Sequence, residues 1–348
     1  MSIYKSNLEV SLFGESHGEY IGLTIHNFPH GINLNLDKIN EDLNNRHSFI
    51  YGKSTRRESD QFEIISGYFN GYTTGAPLTF IIRNNDKRSE DYQKHLGVIR
   101  PSHGDFTLHK KFDGFYDFRG GGHYSGRLTS LLVILGSICE NELNKLGVNI
   151  STRIKSIYNI VDESNFNDGS LDKSFPVINQ TKKEEMIEFI KGLTTDSVGG
   201  VVETKVSGVK VGLGNPIFQG VESIISSLIF SIPAVKGIEF GSGFDITKMY
   251  GSSANDKLQY ENGKIKFLSN HSGGIQSGIT NGEIILFRVA VKPTPTISIE
   301  QDTINILSGE NIKTTVTGRH DKCIVPKITH VINAVTAFAI FDLLLGDK

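Results

Sequence analysis

Residues 201–232 read VVETKVSGVKVGLGNPIFQGVESIISSLIFSI, and this stretch decides the fold class. Its first part, Val201–Val211, is rich in valine and alternates in part, as a half-buried strand does. Its last part, Val221–Ile232, sets Val221, Ile224, Ile225, Leu228 and Ile229 on one helical face. The mixture continues outward. Strands are expected at Leu8–Phe13, Ile21–Asn27, Leu78–Ile82 and Glu283–Val291. Helices are expected at Leu36–Arg46, at Leu128–Leu146 before Gly147, at Thr181–Leu193 and at Ile328–Leu345. Thr181 and Glu184 have capping-box spacing. No regular βαβαβ rhythm emerges, which points to α+β rather than a doubly wound parallel sheet. A chain of 348 residues makes one large or two fused core units, and with no repeat and no low-complexity linker no domain boundary can be placed in it.

A net charge of −2 excludes the global basic field of a nucleic-acid binder, so any anion must be held by local clusters. Cys139 and Cys323 are too few for a disulfide framework, which points to a reducing, cytoplasmic setting. The N-terminal residues show no basic segment followed by a long apolar run, so no signal peptide is expected. Val331–Leu345 is the most apolar stretch. Asn333, Thr336 and Asp342 interrupt it, and it falls short of the roughly 20 residues of a membrane span, so a buried helix is expected.

Chemistry-bearing residues gather in a few segments. Gly14-Glu15-Ser16-His17-Gly18 follows a strand, and Arg100-Pro101-Ser102-His103-Gly104-Asp105 lies mid-chain. Asp117 to Arg127, DFRGGGHYSGR, opens a helix, and Gly318-Arg319-His320-Asp321-Lys322-Cys323 precedes another. Each alone reads equally well as a turn with a satisfied histidine or an ordinary cap. The glycine run differs, because bare backbone N–H groups, a helix N-terminus, Arg119 and Arg127 together make an anion site. Arg46, Lys53, Arg56 and Arg57 are either a solvated basic face or a carboxylate or phosphate clamp. Lys292-Pro293-Thr294-Pro295-Thr296 is either a strand terminator or a rigid ligand loop. His17, His103, His320 and Asp321 are acid–base candidates, since imidazole exchanges protons near neutral pH. The residues by themselves describe an enzyme for a small polyanion and leave its reaction open.

In order along the chain stand FGESHG, RRES-DQ, TTGAP, DYQ, RPSHGD, DFRGGGHYSGR, AVKGIEFGSGF, SNHSGGI, VKPTPTI and GRHDKC. Together they resemble the chorismate synthase family. The resemblance implies a single catalytic domain over residues 1–348, a β-α-β sandwich of antiparallel sheets around helices, and a homotetramer. It implies anti-1,4-elimination of phosphate from 5-enolpyruvylshikimate 3-phosphate, with reduced FMN as cofactor and NADPH as a candidate reductant. By position, His17 matches the acid near the substrate phosphate, His103 the histidine on the flavin, and Asp321 the carboxylate near flavin N5. Flavin contacts fall on His123, Tyr124, Ser125, Pro233, Ala234, Ser277, Lys292, Pro293, Thr294, Pro295, Thr296 and Arg319. The family's nicotinamide-nucleotide position is Arg46, which is expected to hold substrate with Arg56, Arg57, Arg119 and Arg127. No metal, nucleic acid or membrane is implied.

The chain departs from the family pattern in places. Asn45-Arg46-His47 replaces three successive arginines, Tyr51 and His123 stand where arginine is usual, and Lys322 replaces a proline. The lost positive charge either weakens substrate affinity or is made up by Lys53 or His47. Two other classes remain. A metal-dependent hydrolase would use Glu15, His17, His103, Asp105, His320 and Asp321, although these lack the i, i+4 spacing of helical metal sites. A non-catalytic flavin- or phosphate-binding protein would have no use for the acid–base residues.

Overall fold

A helical layer lies between two five-stranded antiparallel sheets. The computed structural model describes residues 2–49, 60–85, 96–166, 171–315 and 321–347. The first sheet is built from β1 (Ile3–Lys5), β2 (Glu9–Gly14), β3 (Tyr20–His26), β4 (Phe62–Ser66) and β5 (Leu78–Arg83). Its order is β1-β2-β3-β5-β4. Ile21, Leu23 and Ile25 alternate along β3 and are fully buried, and Leu23 registers with Leu12 on one side and Phe80 on the other. The second sheet contains β6 (Asn149–Ile157), β7 (Ile160–Val161), β8 (Gly200–Ser207), β9 (Val235–Phe240) and β10 (Ile285–Val291). Its order is β9-β10-β8-β6-β7.

The helices longer than one turn among the described residues are α1 (Leu36–Ser48), α2 (Asp105–Lys111), α3 (Thr129–Lys145), α4 (Gln180–Gly192), α5 (Val221–Phe230) and α6 (Val325–Gly346). Helix α6 touches both sheets. The Tyr4 ring lies 5.1 Å from Phe338, while Thr152 on β6 donates to Asn333 at 3.0 Å. Helices α3 and α6 cross at Gly136, where a Cβ would stand 2.3 Å from Ala334 Cα. Only glycine allows that approach. With apolar residues all round, α6 must be covered on every side. It has 22 residues and is long and apolar enough to span a membrane, which corrects the shorter helix expected, and its sides are buried among the sheets, α3 and α5.

The expected strands and helices form, with shifted ends. The strand through Val201 stops at Ser207, because Gly208 turns at φ +82° and a Cβ there would meet the Gly147 carbonyl at 2.1 Å. The Thr181 capping box does not form. Asn179 caps α4 by accepting from Lys182 N at 3.0 Å, and Glu184 instead receives Gln180 Nε2. Strand β6 carries Arg153 and Lys155 inside NISTRIKSI, which hides its apolar pattern. The structure buries Arg153 against Glu203 on β8 at 2.6 Å.

Candidate active site

The end of β2 and the glycine run meet through several hydrogen bonds. Ser16 N donates to Gly122 O at 3.1 Å, and Ser16 Oγ donates to Arg119 O at 3.3 Å. Asn84 Nδ2 donates to the carbonyls of Glu15 and Gly18, each at 3.1 Å. His17 is buried over Gly120, whose φ is +64° and where a Cβ would lie 2.7 Å from His17 Nε2. On the neighbouring residue, a Gly121 Cβ would lie 3.5 Å from His103 Cε1. Two histidines 86 positions apart thus flank one pair of glycines. Arg119 grips Asp117 with Nε and Nη2, both at 2.8 Å, and its side chain is a third exposed beside His17.

The proline loop joins from the other side. Lys292 Nζ donates to Ser102 O at 2.8 Å, next to His103. Lys292 N donates to Ala234 O at 2.9 Å, which seats Pro233 and Ala234 at the same place. Burial, and then the charge of Lys236, push the Lys292 ammonium pKa down. Two cations so disposed gain from an anion between them. Ser197 Oγ donates to Thr294 O at 2.6 Å, and Val198 N donates to Lys322 O at 2.9 Å. Asp321 is thereby held at the far side of the loop, where Lys327 Nζ donates to its Oδ2 at 2.7 Å.

Behind His17 lies a buried charge cluster. Asp60 takes Arg127 Nη1 on one oxygen and His47 Nε2 on the other at 2.7 Å, with Arg46 Nη1 at 3.5 Å. Arg46 Nη2 also donates to Gly126 O and Thr129 Oγ1, both at 2.9 Å, and Arg127 Nε donates to Asn84 at 2.9 Å. Burial opposes ionisation of Asp60, but the His47 hydrogen bond and the two arginines outweigh it and hold the carboxyl well below the usual range. Burial pushes the His47 imidazole down more than Asp60 raises it, so His47 is neutral near physiological pH. It does not replace the arginine charge absent at its position.

The remaining expected residues divide. His123 points back, with Nδ1 at 2.8 Å from Gly14 O and Nε2 at 2.5 Å from Ser2 Oγ. Ser125 Oγ accepts from Arg127 N, while the Tyr124 ring is exposed. Pro293, Pro295 and Thr296 follow Lys292 in the same loop. Ser277 is not brought to this place. It adjoins Gly278, whose carbonyl accepts from Val221 at the start of α5, whereas Pro233 and Ala234 follow that helix's far end. Arg56, Arg57, Arg319, His320, Tyr51 and Lys53 lie outside the described residues. Asp60, Asn84 and Lys327 were missed as site residues. Lys327 had a signal, since a cation in the first turn of a helix works against the dipole and implies a tertiary partner.

No group of three His, Cys, Asp or Glu side chains able to hold a metal occurs among the described residues. Asp105 is taken by Arg100 and His103, and Asp321 by Lys327, so among the described residues these carboxylates assemble no centre for the metal-hydrolase alternative. Similarity to known proteins agrees. The family profile described as chorismate synthase matches residues 8–345. The chain belongs to the chorismate synthase family. A chorismate synthase of Chitinophaga pinensis is 41% identical over 348 residues, covering 100% of this chain and 98% of that protein. One from Dehalococcoides mccartyi is 39% identical over 346 residues, covering 97% and 94%. A crystal structure of chorismate synthase superposes with a TM-score of 0.74 at 27% identity, covering 98% of this chain and 92% of the other. The chorismate synthase family is a family of lyases, and the β-α-β sandwich is its fold.

Proposed function

We propose that this chain makes chorismate from 5-enolpyruvylshikimate 3-phosphate by anti-1,4-elimination, with reduced FMN bound. What supports the reading is one run of contacts: His17, Gly120, Gly121, His103, Ser102, Lys292, Thr294, Ser197, and the Val198–Lys322 bond beside Asp321. It sets acid–base groups along a surface edged by cations, which suits a substrate with two carboxylates and a phosphate. His17, over the glycine run, donates a proton to the departing phosphate. Asp321 accepts the ring proton, and Lys327 holds its carboxylate in place. Arg119 and Lys292 hold the anionic groups, and the buried Arg46–Arg127 cluster braces the His17 loop from behind through Asn84. The glycine run keeps side chains away from the bond that breaks.

The residues fit FMN. Thr294 Oγ1 is buried with no hydrogen-bond partner among the described residues, burial and the charge of Lys236 disfavour the Lys292 ammonium, and the Tyr124 ring is open for stacking. Lys292 and Thr294 would hold the cofactor with Tyr124, Ala234 and His103. When bound, reduced FMN supplies electron-rich flavin chemistry with no net redox change. NADPH is carried as its candidate reductant. Ser277 stands apart from the other flavin positions and would reach the same ligand from a second copy, which the homotetramer implied by the family resemblance would supply. Both cysteines are buried and unpaired, which suits the cytoplasm. The test is anaerobic turnover of the enolpyruvyl substrate with reduced FMN, with and without NADPH. Chorismate should form, and its absence under flavin-reducing conditions sinks the reading.

A further inference from the structure

The turn that carries His103 is tied down more heavily than a surface loop requires. Arg100 forks onto Asp105, with Nε on Oδ2 and Nη2 on Oδ1, both at 2.7 Å, and Arg100 N adds a third bond to Oδ2 at 3.0 Å. His103 Nδ1 lies 2.7 Å from Asp105 Oδ1. Ser102 adopts φ +56°, a left-handed backbone that non-glycine residues rarely take, and Lys292 holds its carbonyl. Upstream, Ile99 N donates to Ile304 O at 3.1 Å, and the Thr303 hydroxyl donates to the Ile99 carbonyl. Asp105 itself opens α2, where a carboxylate is favoured.

This geometry fixes a proton. Burial works against the Asp105 charge, but the Arg100 fork and the His103 bond outweigh it and hold the carboxyl far below its usual range. An ionised carboxylate only accepts, so Nδ1 of His103 carries the hydrogen. The opposite edge of the ring, Cε1 and Nε2, faces Gly121, with Nε2 3.7 Å from where a Cβ would stand. We infer that Asp105, clamped by Arg100, is a positioning residue that sets the tautomer of His103 and presents Nε2 to the ligand over Gly121. The inference rests on the proposed role of His103 in the elimination. A proton given from Nε2 leaves the ring neutral with Nδ1–H still on Asp105.

The test uses the full chain with FMN, comparing wild type with Asp105→Asn. Nitrogen NMR of ring-labelled histidine reads the tautomer, with the His103 signals assigned by their loss in His103→Gln. The wild type should show Nδ1–H, and Asp105→Asn a mixture with Nε2–H. Turnover should fall about 100-fold while KM stays within about twofold. Should Asp105→Asn not fold, Arg100→Lys keeps the charge, loses the fork, and should give the same changes in smaller measure. A wild-type tautomer in the tested variant overturns the inference, whatever its rate. So does a rise in KM with unchanged kcat. Failure of the wild type to form chorismate would instead defeat the functional reading, and the tautomer measurement would still stand.

Discussion

Replacing Asp60 by asparagine should destabilise the protein and disable the site together. The carboxylate is buried and receives Arg127, His47 and Arg46. His47 is neutral, so Asp60 is the counter-ion for two buried guanidinium groups. Removing one member of such a cluster costs about 3–5 kcal/mol, because the remaining charges stay desolvated without compensation. With about 2.1 cal/mol/K of unfolding entropy per residue over 348 residues, that loss lowers Tm by roughly 4–7 °C. The pH dependence has a definite sign. A carboxyl depressed in the fold contributes stability that is fully present above its unfolded pKa of about 3.9 and is lost as pH falls through the lower folded value. The gap between wild type and Asp60→Asn should therefore stay constant from neutral pH to about pH 5 and narrow only in stronger acid. Thermal melts across that range measure it, and turnover reports the site, since Arg127 holds Asn84 and Asn84 holds the His17 loop. Equal melting temperatures at neutral pH would refute the cluster's role. A gap that closes between pH 8 and pH 5 would refute the assignment of its charge.

Asp321→Asn and His103→Ala should each cut turnover about 100-fold while substrate still binds, as seen by calorimetry. Wild-type rates in either show that the roles are misassigned. Gly120→Ala should lower kcat/KM strongly with a modest fall in Tm, because its Cβ would stand 2.7 Å from His17 Nε2 at φ +64°. Near-normal activity there means that His17 does not need this place. Gly136→Val should cost about 3 kcal/mol or prevent folding by parting α3 from α6, and a normal melt would contradict the helix crossing. Lys292→Ala should weaken FMN binding about tenfold in a fluorescence titration, the worth of one charge-assisted contact. Unchanged affinity would remove Lys292 from the cofactor site.

The sequence was readable where period and burial agree. Val221, Ile225, Leu228 and Ile229 mark one face of α5, and all four are buried. The helix ends were less so, because caps compete locally. Asn179 wins α4 over the equally plausible Thr181. Strand β6 was unreadable for another reason, since Arg153 looks like a surface residue until Glu203 on a different strand neutralises it. The site divides in the same way. His17, His103 and the glycine run are named by local motifs, but their convergence is tertiary. Asp60 and Asn84 have no local signature, since among the described residues their side chains act through partners at least 13 positions away.

The departures from the family pattern then acquire a physical meaning. At His47 and His123 the expected guanidinium is missing, and the neutral His47 imidazole supplies no substitute charge. His47 is spent on Asp60, and both ring nitrogens of His123 lie on Ser2 and Gly14. An uncharged ring on Asp60 leaves more of that carboxylate to Arg46 and Arg127, so the cluster is closer to balance than one with a third arginine would be. Among the described residues, positive charge on the proposed ligand side then lies further out, on Arg119 and Lys327, whose side chains are each about a third exposed, and on Lys292 across the loop. Charges on a water-facing rim are screened more than buried ones. Substrate binding in this member should therefore weaken more steeply with added salt than in members that keep the arginine run.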